Sequence, residues 1–146
     1  MSMNDDLDLL ANSLEGLNYT VFLQCYTVEH QRGESETQIV HSALPDAVLS
    51  RIVQTDAATI LRKVQRDITY TGNYSHGPQK DVLASEGFKT LLTKCHNHIH
   101  AMLNGADSCW EIGIRDGHPA YPVFWDFAYL IRHGSNSYVL IGSSSD

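Results

Sequence analysis

The residues whose spacing comes nearest to specifying chemistry are three histidines in one short run, Cys95-His96-Asn97-His98-Ile99-His100. His96 and His100 stand four apart, the separation at which two imidazoles on one helix can share a zinc ion and polarise a bound water. The set is incomplete. No glutamate follows His96 in the H-E-x-x-H manner, and no downstream carboxylate or cysteine supplies an evident third ligand. On a helical wheel His96 borders an apolar stripe, His100 points further toward solvent, and His98 lies on the opposite border. Read as helix flanks near a C-terminus, their charge suits the dipole there. No cofactor is expected, and His96 and His100 are the metal candidates.

Other reactive types fare no better. Cys25, Cys95 and Cys109 form no C-x-x-C pair. Cys95 falls on the apolar stripe, where a thiol is inert. Gly72 and Gly77 have the spacing of the first part of a phosphate-binding loop, but Pro78 follows where Lys and Ser or Thr are needed. Arg51, Arg62, Lys63 and Arg66 around Gln54-Thr55-Asp56 suggest a helix-turn-helix, yet four bases neutralise few phosphates. They read instead as a solvated helix face. A catalyst is therefore not expected, nor a nucleic-acid partner.

Asp126 lies within the apolar run Tyr121-Pro-Val-Phe-Trp-Asp-Phe-Ala-Tyr-Leu-Ile131. An unpaired buried charge is costly, so Asp126 either points outward or is hydrogen-bonded inside. Pointing outward, it joins Phe124 in an aromatic and acidic patch of the kind that anchors a protein partner.

These residues must be positioned by a chain of alternating habits. Leu7, Leu10, Leu14 and Leu17 mark one face of a helix, with Asp5, Asp6 and Asp8 in its first turn. Residues 19–29 are rich in β-branched and aromatic types and read as a strand. A turn at 31–35 leads to a returning strand at 37–44, giving a hairpin whose tip carries Glu29, Glu34 and Glu36. Pro45 then opens one long or two short helices, with Leu49, Ile52, Val53, Ile60, Leu61, Val64 and Ile68 as their stripe. After a loop at 72–78, Phe88, Leu91, Leu92, Cys95, Ile99, Met102 and Leu103 define the strongest helix, with Ser85 before it and Gly105 after it. The period then becomes two. Strands at 109–115, 123–132 and 138–142 form a three-stranded meander, its first turn at Asp116-Gly117, followed by a polar tail. The order argues for a single α+β domain over 1–146: a mixed or antiparallel sheet of about five strands, N-terminal hairpin plus C-terminal meander, packed on three to four helices.

The 146 residues carry 42% hydrophobic and 18% charged types, enough for one folded core. No apolar run nears the ~20 residues of a membrane span, and the acidic N-terminus lacks the charge of a secretory signal. A cytoplasmic protein with reduced thiols is expected. The net charge is −7, and residues 1–50 hold eight acids against the single base Arg32. Such a field attracts a basic protein.

The last thirty or so residues, Pro122-Val-Phe-Trp-Asp-Phe-Ala-Tyr, a Gly-Ser turn and Tyr138-Val-Leu-Ile-Gly-Ser-Ser-Ser-Asp146, resemble the C-terminal ends of bacterial immunity proteins that accompany polymorphic and contact-dependent growth inhibition toxins. The resemblance implies a small cytosolic inhibitor that binds a cognate toxin, in many systems a basic nuclease. It carries no functional motif. The partner-binding candidates, Glu29, Glu34, Glu36, Asp116, Phe124 and Asp126, come from charge and exposure instead. The alternatives are a metal-dependent enzyme at His96 and His100, or an acidic secretion chaperone or adaptor.

Overall fold

A computed structural model describes residues 2–146. The elements are α1 (Met3–Ser13), β1 (Thr20–Glu29), α2 (Glu36–Ala43), β2 (Val48–Thr55), α3 (Ala57–Ile68), α4 (Lys80–Leu83), α5 (Glu86–Leu103), β3 (Ser108–Asp116), β4 (Trp125–Arg132) and β5 (Asn136–Ser145). All strand pairings are antiparallel, in the order β1-β5-β4-β3-β2. The α+β class, the five strands and the meander β3-β4-β5 are as the sequence indicates.

The sheet buries both faces, unequally. Trp125, Phe127, Tyr129 and Ile131 alternate along β4 toward a core shared with α1, α3 and α5, whose buried members include Leu10, Ile60, Val64, Phe88, Cys95 and Ile99. Ala128 and Leu130 point the other way, onto Ile39, Val40 and Leu44 in and just after α2. Such period-two division is what two-sided burial of a strand requires.

The N-terminal hairpin is not formed. Residues 36–43 are helix because Ser35 and Gln38 make a reciprocal capping box, each side chain closing the other's backbone N–H. Ile39 and Val40 then lie flat on the sheet. The fifth strand is β2, from residues read as helical, and it pairs with β3 at the edge of the sheet opposite β1. Asp56 ends β2 and begins α3 by accepting the Thr59 N–H at 2.8 Å. This also removes any helix-turn-helix.

Two smaller corrections concern ends. Leu7, Leu10 and Leu14 are buried as expected, but Leu17 lies beyond α1 and is exposed. Ser143 and Ser144 belong to no tail. They are buried in β5, opposite Phe22 and Val21 of β1. Among the described residues no helix is long and apolar enough to cross a membrane.

Candidate functional site

Antiparallel register fixes which loops meet. Thr20 pairs with Ser145, Trp125 with Ser144, and Val48 with Asp116, so the starts of β1, β4 and β2 share one end of the sheet with the finishes of β5 and β3. The connection 14–19, the segment 44–48 and the loop 116–124 all reach this end. The loop 71–79 joins them through a Leu17–Gly77 bridge and the Asn18 side chain, whose Nδ2 donates to the Ser75 carbonyl at 3.1 Å.

A ladder of rings holds these loops together. Phe124 stacks on His76 at 4.0 Å between centroids, and Tyr70 and Tyr19 continue the stack. Trp125 Nε1 donates to the Tyr19 hydroxyl at 2.7 Å. Burial pushes the Tyr19 pKa up, against the hydrogen bonds from Trp125 and Ser144. Gly72 and Gly77 serve the same loop. Both have positive φ, and a Cβ on Gly72 would come within 2.2 Å of the His76 carbonyl oxygen. Their spacing closes a tight turn.

Outside this ladder the end is both apolar and acidic. Of the seven exposed large hydrophobic residues among the described residues, five lie here: Leu17, Val48, Tyr74, Tyr121 and Val123. Tyr74 is 96% and Tyr121 82% exposed. Glu15, Asp46, Asp116, Asp126 and Asp146, all exposed, lie at the same end. Tyr121 shares a surface cavity of about 380 Å³ with Asp116, Gly117, His118 and Arg115.

His118 anchors the 116–124 loop. Its Nδ1 accepts the Ala120 N–H at 2.9 Å, and its Nε2 is buried with no partner among the described residues. Burial lowers its pKa, although the Asp126 carboxylate pulls the other way.

The candidates read from the sequence thus separate. Asp116 and Asp126 are exposed at this end, so the outward orientation of Asp126 holds. Phe124 is half-buried in the ring ladder and is not a free anchor. Glu29, Glu34 and Glu36 occupy the opposite end, where β1 finishes and α2 begins. Glu29 is exposed and Glu34 half-buried. Glu36 is already spent on an ion pair with Arg132, which also donates to the Arg32 carbonyl at 3.0 Å. Tyr74 and Tyr121 were not singled out in the sequence, because only tertiary structure brings their loops to one end.

The histidine run lies elsewhere, on α5. The His96 and His100 rings face each other at 6.5 Å between centroids, both exposed. Among the described residues no group of three or more His, Cys, Asp or Glu could hold an ion. His98 instead reaches α1, its Nε2 2.8 Å from Asp6 Oδ2. Burial pushes the thiols of Cys25 and Cys95 up to about 12 and that of Cys109 in the same direction, so none is a ready nucleophile.

No protein-family model matches this chain, and no curated protein sequence matches it. Among solved structures it is similar to the crystal structure of citrus MAF1, with a TM-score of 0.59 and 8% sequence identity, over 97% of this chain and 98% of that one. At that identity the likeness is one of fold.

Proposed function

We propose that this protein is a binding module that docks a cationic partner protein on the loop end bearing Tyr74, Tyr121, Asp116 and Asp126. The observation that carries this reading is the coincidence of five exposed apolar side chains with five exposed carboxylates at one end of the sheet. Scattered exposed apolar residues mean nothing, but aromatic anchors gathered within a polar rim are the anatomy of a protein interface. The carboxylates steer a basic surface toward the rings and set orientation. With the net charge of −7, this disfavours nucleic acid as the occupant.

Within that reading, the role suggested by the C-terminal resemblance is immunity: a cytoplasmic inhibitor that covers a cognate toxin, a basic nuclease being the best electrostatic match. Inhibition then needs occlusion and no chemistry by this chain. The test is co-expression with the product of the neighbouring gene, followed by co-purification and growth. A stable complex and restored growth support it. A neighbouring product that neither binds nor harms cells argues for a different partner class.

A further inference from the structure

The second surface is the chemical opposite of the first. Val53, Glu111 and Tyr129 are direct cross-strand neighbours on β2, β3 and β4, so they lie in a row on one face of the sheet. Helix α3 crosses β4 beside this row and presents Thr59, Arg62, Lys63, Gln65 and Arg66 to it. The resulting cleft is open to solvent and offers about 690 Å³, within the usual size of small-molecule sites.

Its charge runs against that of the chain. Four of the ten lysines and arginines stand around it: Arg62, Lys63 and Arg66 on the wall, and Arg51 beyond Glu111. The acids nearby are engaged. Glu111 pairs with Arg51, and Asp67, buried behind the wall, has Lys63 Nζ at 2.7 Å. Burial pushes the Asp67 carboxyl up, against the attraction of Lys63. Arg62 bonds only Thr59 Oγ1, at 3.4 Å, and Arg66 lies a loose 3.8 Å from Asp67. Two guanidinium forks one helical turn apart are thus free to face a ligand.

The floor supplies a further donor. Tyr129 is only 2% exposed, but its side chain lines the cleft and its hydroxyl, not among the buried atoms left without a partner, reaches solvent there. A hydroxyl open to the cleft exchanges water for a ligand oxygen, keeping its hydrogen bond. With its pKa pushed up to about 12 by burial, it stays an O–H donor at neutral pH. Val53, 51% exposed on the same row, offers an apolar shelf.

We propose that this cleft binds a small phosphate monoester with a body of about nucleoside size. Its phosphate sits between the Arg62 and Arg66 forks and the Tyr129 hydroxyl, and its body lies over Val53 with Glu111 accepting from a hydroxyl or amine. A dianionic phosphate matches two free guanidiniums and uses its third oxygen on the phenol. A nucleic-acid polymer needs many more cations than the cleft holds.

Calorimetry on the full chain at low salt tests this with three probes: adenosine 5′-monophosphate, inorganic phosphate and adenosine. The monophosphate should bind roughly tenfold more tightly than inorganic phosphate, and adenosine should not bind measurably. The R62Q/R66Q variant should weaken the monophosphate by about tenfold or more, and Tyr129→Phe, which keeps the buried ring, by about threefold to tenfold. A charge-matched control away from the cleft, K89Q/K94Q, should leave binding unchanged. Absence of binding by both phosphates overturns the site. So does equal weakening by the control, which would reveal a general charge effect. Affinity for inorganic phosphate equal to that for the monophosphate overturns the nucleoside-sized body.

Discussion

The side-chain amide of Asn4 closes both backbone groups of Cys25. Asn4 Nδ2 donates to the Cys25 carbonyl at 2.8 Å, and Asn4 Oδ1 accepts the Cys25 N–H at 2.9 Å. Cys25 sits in β1, an edge strand, so α1 supplies through one residue what a sixth strand would supply there. Asn4→Ala should cost about 1–2 kcal/mol, since a part-buried donor and acceptor lose their partners together. Chemical denaturation checks this, and light scattering should show increased self-association of the variant through the uncovered edge.

Tyr19 is the hydroxyl acceptor for Trp125 inside the ring ladder. Tyr19→Phe preserves the stack but leaves the buried indole N–H unpaired, at a cost of about 1–3 kcal/mol. The loss should appear in the thermal midpoint. Hydrogen exchange should rise in the 71–79 and 116–124 loops that the ladder joins.

Acid should loosen the same end. His118 has a folded pKa below its ordinary value, so its neutral form is the one the fold accommodates. The stability it contributes is complete above the unfolded histidine pKa of about 6.5 and is lost as pH falls through the depressed folded value. Stability measured from pH 7.5 downward should therefore decline as His118 becomes protonated. In His118→Gln the slope over that window should be shallower.

Asp67 gives the opposite sign. A carboxyl raised in the folded state stabilises most when protonated, and that benefit is lost as pH rises through its folded pKa. Asp67→Asn should be no less stable than the parent at neutral pH, and the difference between them should shrink on acidification. A large loss at neutral pH would instead make the Lys63 pair the dominant contribution.

Much of the fold was legible because its patterns are clean. The Leu7-Leu10-Leu14 stripe, the long apolar face ending at Leu103 and the meander all follow the period of their element. Residues 37–55 misled for specific reasons. Thr37, Ile39 and Val40 are β-branched, and the Ser35–Gln38 box that turns them into helix outweighs their strand propensity. In β2 the register shifts between Leu49 and Arg51, so Leu49 and Ile52, three apart, share one face opposite Ile114 and Ile112. A bulge had given a strand the spacing of a helix. Of the candidate site, the acids Asp116 and Asp126 could be read from local context. The gathering of Leu17, Tyr74 and Tyr121 could not, because it depends on which loops the strand order brings to one end.

The most direct test of the docking end compares two sets of substitutions in calorimetry against the neighbouring gene product. Changing Tyr121→Ser together with Asp116→Lys and Asp126→Lys should weaken binding by about a hundredfold or more, as removal of an aromatic anchor and reversal of two steering charges would. Changing Glu29→Lys and Glu34→Lys at the far end should alter it by less than about threefold. The reverse order of effects would place the interface at the α2 end and contradict the account.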